Sequence, residues 1–367
     1  MSKKIYFLQN EATPHNNQFI KNLQETKRVK LDIWYARGKS LVCGWDEDLT
    51  NKFQKASIFG DRYPNLVLLL RLMVDRKSIV LITGWQNITL KLLVVLSFIT
   101  RRKINIWLDM PQITNQSMFK TLLRALWYST CRSAPIKFFC VNSATINYIK
   151  DKGIKSQNVI LLPVSVYSAD DNFTKSTVKD MRTKYNVDVD QFLVVSGSRL
   201  VNEKGFDLLI DAIALMPPAA IAKTKVIIFG RGPEEESLVS KIQYLGLSDV
   251  VAIIGWLDVA VMRALIYSAD LFVHPARWDA YGPGTLNAMS LGTPVIATTT
   301  SGSGPELIRH KDSGWLYEAE DYKTLTNLLV GAMSDKIVLE EMSVRAKLRY
   351  EHFCNLDLAE IVLNNAR

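Results

Sequence analysis

Phe192-Leu-Val-Val-Ser-Gly-Ser-Arg199-Leu-Val-Asn-Glu-Lys204-Gly-Phe-Asp-Leu-Leu-Ile-Asp-Ala-Ile213 reads as one strand, one loop and one helix. Phe192–Ser196 is a short apolar run without polar alternation, which suits a parallel strand covered on both faces. Phe206, Leu209, Ile210 and Ile213 recur at i, i+3, i+4 and i+7, the spacing of one buried helical face. The loop between them carries two cations, Arg199 and Lys204.

Outward from this unit the same alternation repeats. In the first half the apolar runs are Ile5–Gln9, Leu31–Tyr35, Ile79–Gly84, Ile104–Leu108 and Phe138–Val141. In the second they are Phe192–Ser196, Val226–Gly230, Val250–Ile254, Leu271–His274 and Pro294–Thr298. Helical patterns lie between them, so the order is βαβα twice over. This predicts an α/β chain of two Rossmann-like, doubly wound parallel-sheet domains. The first is expected over residues 1–166 and the second over 167–345, with a tail, 346–367, packing back on the first. The polar stretch Ser168–Lys175 marks the join. A length of 367 residues agrees, because single cores rarely grow past roughly 250–300 residues. Open parallel sheets bind ligands beyond the carboxyl ends of their strands, which places the chemistry in loops lining a cleft between the two sheets.

Composition narrows the class. The net charge of +9 hides a division: residues 1–165 hold 25 basic and 10 acidic side chains, or +15, and the remainder −6. Two halves facing different partners explain this better than one domain does. The apolar run after Met1–Lys4 is too short for a signal peptide. The longest, Ile88–Thr100, contains Lys91 and falls short of the ~20 residues that span a bilayer. Cys43, Cys131, Cys140 and Cys354 show no Cys-x-x-Cys spacing and read as reduced thiols of a cytosolic protein. Two Asp-x-Asp tripeptides, Asp46–Asp48 and Asp188–Asp190, fail as metal sites. The second precedes a strand, on the wrong edge of the sheet, and the first has no donor loop near it.

Three loops carry candidate chemistry. Arg199 and Lys204, beside a helix N-terminus, make an anion site or else two solvated cations. Phe229-Gly-Arg-Gly-Pro233 offers Gly230 and Gly232 for close backbone approach, but lacks the third glycine of a dinucleotide fingerprint. The richest is Ala269-Asp-Leu-Phe-Val-His274-Pro-Ala-Arg-Trp-Asp279-Ala-Tyr281-Gly282-Pro283-Gly284-Thr285-Leu-Asn287. There a strand ends at His274 and glycines open a helix, leaving amides for a phosphate or sugar oxygen. Asp279 and Asn287 flank that helix start.

Gly-Ser-Arg-Leu-Val-Asn-Glu-Lys-Gly-Phe-Asp-Leu-Leu, Phe-Gly-Arg-Gly-Pro-Glu, Ala-Asp-Leu-Phe-Val-His-Pro and Ala-Met-Ser-Leu-Gly-Thr-Pro-Val-Ile-Ala follow one another over Ser196–Leu316. In this order and spacing they resemble the retaining GT-B glycosyltransferases of family four. The resemblance implies a GT-B fold and transfer of a hexose-type sugar from a UDP or GDP sugar to a glycan or lipid-linked acceptor. Cell-surface polysaccharide or lipopolysaccharide synthesis is the implied setting. It further implies that Arg199 and Lys204 hold the donor diphosphate and stabilise the leaving nucleotide. Donor contacts are implied for Gly197, Gly230, Gly232, Tyr281, Gly282, Pro283, Gly284, Thr285 and Asn287. The family's acidic motif, Glu-x7-Glu, is Asp279-x7-Asn287 here. Asp279 would meet the donor sugar hydroxyls and Asn287 the ribose, the latter without charge assistance. These changes leave two readings, an active transferase and a GT-B protein without transfer activity; an epimerase or hydrolase on the fold would need more acids in the cleft. Asp109, after the Ile104 strand, falls near the anomeric carbon in the family and is otherwise a helix cap. His15 is either an acceptor contact or a helix-start residue. His274 reads as a core or supporting histidine and Glu306 as an acid in a helix's opening turn. No cofactor or metal is implied, because Arg and Lys supply the positive charge.

Met118–Tyr128 explains the basic half in one of two ways. Phe119, Leu122, Leu123, Leu126 and Trp127 form one face and Lys120 and Arg124 another. Such a helix either lies on an anionic membrane or packs on the sheet. Lipid-linked acceptors favour a cytoplasmic protein peripheral on the inner membrane. No nucleic-acid motif accompanies the charge.

Overall fold

The computed structural model describes residues 2–11, 13–37, 56–111, 117–164, 172–354 and 356–366. The chain divides into two compact units, Met1–Tyr167 with Leu356–Arg367, and Ser168–Asn355.

The first unit holds a parallel sheet built from β1 (Lys3–Gln9), β2 (Val29–Tyr35), β3 (Ser57–Ile58), β4 (Ile79–Thr83), β5 (Ile104–Leu108), β6 (Ile136–Cys140) and β7 (Val159–Leu161). Their spatial order is β3-β2-β1-β4-β5-β6-β7, so the winding reverses between β1 and β4. Side chains alternate across the sheet. Leu8, Val80, Ile82, Ile106 and Phe138 join one core. Phe7 and Trp107 face the other way, against Phe19 of the helix Pro14–Glu25, with ring centroids 5.8 Å (Phe7) and 4.7 Å (Trp107) from Phe19. Right-handed crossovers put the helices Leu66–Val74, Ile88–Thr100 and Met118–Ser133 together on the first face. Arg102, which follows the second of these, is buried and donates to Leu72 O at 2.9 Å and Ser78 O at 2.8 Å. On the opposite face the helix Leu358–Asn365 packs on Pro14–Glu25, and Lys137 Nζ donates to Asn365 O at 2.7 Å.

The second unit holds β8 (Phe192–Gly197), β9 (Thr224–Phe229), β10 (Val251–Ile253), β11 (Leu271–His274), β12 (Val295–Thr298) and β13 (Trp315–Tyr317), ordered β10-β9-β8-β11-β12-β13, all parallel. β8 sits centrally, with Val194 opposite Val226 on one side and Leu271 on the other. Phe206, Leu209, Ile210 and Ile213 are all buried on the helix Phe206–Ala214. The helix Lys336–Cys354 stays with this unit, packed on the helix Pro283–Ser290. The return to the first unit, read from sequence at 346, therefore starts at Leu356. Each of the ten apolar runs is a strand; β3, β7 and β13, of two or three residues, were not among them.

Candidate active site

The loops after β8 and β11 are stitched to each other. Ser196 Oγ donates to Val273 O at 2.7 Å, joining the two strands. Beyond β8 the chain makes a 3-10 turn, Asn202–Lys204, and then Gly205 at φ 65°. A Cβ at Gly205 would lie 2.1 Å from Pro275 O, so only glycine lets the two loops approach this closely. Trp278 N donates to Glu203 O at 3.1 Å, and Arg277 Nη1 to Asn202 O at 2.9 Å. Arg277 also forks onto Asp207 at 2.7 and 2.6 Å.

This stitching brings Lys204 and Asp279 together in the interior. Lys204 Nζ lies 2.6 Å from Asp279 Oδ2, with the side chains 7% and 9% exposed. His274 Nε2 is 3.2 Å from the same oxygen, without hydrogen-bond alignment. Tyr281 N donates to Asp279 Oδ1 at 3.2 Å. Burial on its own would raise the Asp279 pKa. His274 and Lys204 outweigh it and hold the carboxyl well below the usual carboxylate range. Asp279 is thus an ionised carboxylate whose two oxygens are both engaged.

Arg199 differs. It is half-buried on the same loop, and among the described residues no side-chain hydrogen bond or ion pair holds its guanidinium. The Lys204 charge is compensated by Asp279, so Arg199 is the uncompensated cation of this loop pair.

The helix Pro283–Ser290 begins beside them. A Cβ at Gly284 would stand 2.8 Å from the Phe272 ring and 3.8 Å from Gly197 O, which places the helix start against the end of β8. Gly282 has φ 70°, and a Cβ there would meet Ser301 Oγ at 2.7 Å, Ser303 Oγ at 2.9 Å and His274 Nε2 at 3.1 Å. The hydroxyls of Thr285 and Ser301 are buried without a hydrogen-bond partner. Buried polar atoms of this kind are ordinarily satisfied, by protein, by ordered water or by a bound group. Tyr281 and Pro283 flank Gly282, and Tyr281 is buried.

Gly230 and Gly232 have a reason of their own. Cβ atoms there would lie 1.8 Å from Ser198 O and 2.2 Å from Leu200 O. Their space is taken by the β8 loop, so the close approach is of one loop to another. Gly197 is likewise filled by the Phe229 ring, 2.4 Å from its would-be Cβ.

Asn287 has partners of its own. Its Oδ1 accepts from Arg263 Nη1 at 2.7 Å, and its Nδ2 donates to Pro283 O at 3.0 Å. Both residues are buried. The carbonyl oxygen expected to meet a ribose is therefore already engaged by a cation that sequence reading passed over. The signal was a lone arginine in the apolar helix Val259–Tyr267.

His274 is buried against Asp279, as a supporting residue would be. Glu306 lies in the first turn of the helix Ser303–Leu307. Asp109 is exposed just past β5 in the first unit. His15 falls at the start of Pro14–Glu25, and its side chain lies outside the described residues. Asp188 and Asp190 are exposed ahead of β8, Asp46 and Asp48 lie outside the described residues, and no group of three His, Cys, Asp or Glu gathers among those described. Burial pushes the Cys131 and Cys140 thiols up to about 12.

Residues 177–349 match the family model of the glycosyl transferases group 1. The second unit is a group 1 glycosyltransferase domain. It resembles the WcaL protein of Escherichia coli K12, named for colanic acid biosynthesis, at 31% identity over 169 residues, 44% of this chain and 41% of that protein. It also resembles the lipopolysaccharide core biosynthesis mannosyltransferase LpsB of Rhizobium meliloti, at 31% identity over 159 residues, 41% of this chain and 44% of LpsB. The chain thus spans less than half the length of these curated relatives. The fold extends over the whole chain. The Anabaena protein Alr3699/HepE, solved in complex with UDP, superposes with a TM-score of 0.78 at 20% identity over 98% of each chain. This is the GT-B fold, and the group 1 domain is its second half.

Proposed function

We propose that this protein is a glycosyltransferase that moves a sugar from a nucleotide diphosphate sugar to a glycan or lipid-linked acceptor with retention of configuration, in cell-surface polysaccharide or lipopolysaccharide synthesis. The observation that carries the reading is the unpaired guanidinium of Arg199 on the loop after β8, a loop whose first end, Gly197 O, lies 3.8 Å from a would-be Cβ at Gly284 in the first turn of the helix Pro283–Ser290, inside a domain of this family. An unpaired cation next to helix N-terminal amides is a diphosphate site. That HepE is solved with UDP and with UDP-glucose makes UDP the first nucleotide to try.

The roles follow from charge. In the reaction the bond from the anomeric carbon to the diphosphate oxygen breaks, and the acceptor oxygen bonds the same face. The acceptor proton passes to the leaving phosphate oxygen. Negative charge grows on the leaving group, and Arg199 with the helix amides stabilises it. Removing one such group typically costs about 10²–10³ in rate. Lys204 contributes a fixed N–H donor. Its net charge is offset by Asp279, whose engaged oxygens hold the ammonium in place more than they invite a sugar hydroxyl. With Arg199 carrying the charge, turnover is expected to survive EDTA.

The test is hydrolysis and transfer with a panel of UDP and GDP sugars on the full chain. Turnover with one donor, lost in Arg199→Ala, supports the reading. Nucleotide binding without turnover on any acceptor would transfer the assignment to a non-catalytic donor-binding protein.

A further inference from the structure

The loop that carries Arg199 is anchored on two sides. Toward β9, Ser198 N donates to Phe229 O at 3.2 Å, Leu200 N to Arg231 O at 2.8 Å, and Glu234 N to Leu200 O at 3.0 Å. Toward β11, Trp278 N donates to Glu203 O, Lys204 reaches Asp279, and the Arg277 guanidinium reaches Asn202 O. Arg199 lies between the two anchors. Its guanidinium has no side-chain partner among the described residues, so its place is set by the backbone on either side.

Arg277 is the side chain that grips this loop by its main chain. It stands in the loop after β11, two residues before Asp279. Nη1 and Nη2 fork onto Asp207, in the first turn of the helix Phe206–Ala214. Nη1 also meets Asn202 O, and Nε donates to Glu320 Oε1 at 2.6 Å, beyond β13. One guanidinium thus spans the loop after β8, the helix that follows it and the loop after β13. Its side chain is 21% exposed and its charge is offset by Asp207 and Glu320. It therefore differs from Arg199, whose charge is uncompensated. A planar fork fixes direction as well as distance, which an ammonium does not.

We propose that Arg277 is a positioning residue of the donor site, holding the loop after β8 so that Arg199 meets the donor diphosphate. The proposal rests on the donor-site reading and extends it to a residue that acts through another. A displacement of about 1 Å at a reacting group can lose about 10² in rate. Arg182 supplies the comparison, because it joins the same two strands at their amino ends. Its Nη2 lies 2.6 Å from Asp270 Oδ2, which also accepts from Leu193 N at 2.7 Å, and its Nη1 donates to Gln191 O at 3.0 Å. The Arg182 side chain, 15% exposed, is buried about as well as Arg277, at the edge of the sheet away from Arg199.

Arg277→Lys, Arg182→Lys and Arg199→Ala, alone and combined, are assayed on the full chain with the donor that turns over, well below each unfolding midpoint. Arg277→Lys should lower turnover about tenfold or more. In the Arg199→Ala background the same change should cost under about threefold, because the group it positions is gone. Arg182→Lys should keep turnover, whatever its loss of stability. Hydrogen exchange should show the amides of residues 199–205 opening faster in Arg277→Lys and unchanged in Arg182→Lys. The proposal is overturned if Arg277→Lys turns over as the unaltered chain does, or if it costs the same factor with and without Arg199. It is equally overturned if Arg182→Lys costs as much, or if the 199–205 amides are undisturbed. An unaltered chain that turns over no donor fails the transferase reading, and the proposal falls with it; the other outcomes fail the proposal alone.

Discussion

Replacing Lys204 by methionine keeps most of the side-chain volume and removes the charge. Asp279 would then be an ionised carboxylate, 9% exposed, with its 2.6 Å partner gone. Removing one member of a buried pair typically costs about 3–5 kcal/mol, because the other charge stays desolvated. A domain stability of about 5–15 kcal/mol leaves the variant folded and measurable. Asp279→Asn, which orphans the ammonium, should cost a similar amount. The double variant buries no net charge, so its loss should fall well below the sum of the single losses. Hydrogen exchange of β8 and β11 amides across a urea series reads the stability of this domain. The pH dependence has a definite sign. In the unaltered protein the Asp279 pKa is depressed, so its contribution is present at neutral pH and fades as pH falls below the ordinary carboxylate value. In Lys204→Met, burial acts with less opposition and the carboxyl rises, so the gap between the two proteins should narrow from pH 7 to pH 4. Single losses below about 1 kcal/mol, the range of surface pairs, would refute the reasoning, as would an additive double variant.

Arg199→Ala should lower turnover by about 10²–10³ with the unfolding midpoint unchanged, because no partner is orphaned; donor kinetics and calorimetry check both halves. UDP or GDP at a hundredfold excess over Kd should stabilise the second domain by about 2.7 kcal/mol, read as a thermal shift that Arg199→Ala loses. Asn287→Ala leaves the buried Arg263 without its amide acceptor and should cost about 1.5–3 kcal/mol in denaturant unfolding, with donor KM little changed. A large rise in KM at unchanged stability would restore Asn287 to the ribose.

The fold was legible because parallel strands buried on both faces must be continuous apolar runs, and Ile104–Leu108 or Leu271–His274 admit little else. β3, β7 and β13 escaped because two or three residues carry no period. Within the site, Arg199 and Lys204 stood out as cations in a strand-to-helix loop. What separates them did not. Lys204 meets Asp279 through a contact made only when two loops fold against each other. The Arg263–Asn287 pair joins two helices with no shared motif. Gly230 and Gly232 looked open to a ligand because sequence does not show that Ser198 and Leu200 already fill the gap.

The helix Leu358–Asn365 belongs to the first unit but follows the whole of the second in the chain. During synthesis the second domain, one continuous segment, is available to fold before the first has received its final element. Until then the outer side of Pro14–Glu25 lacks its packing partner and Lys137 its Asn365 acceptor. A stop codon or protease cut near 356 would thus injure the domain made first and spare the one made second.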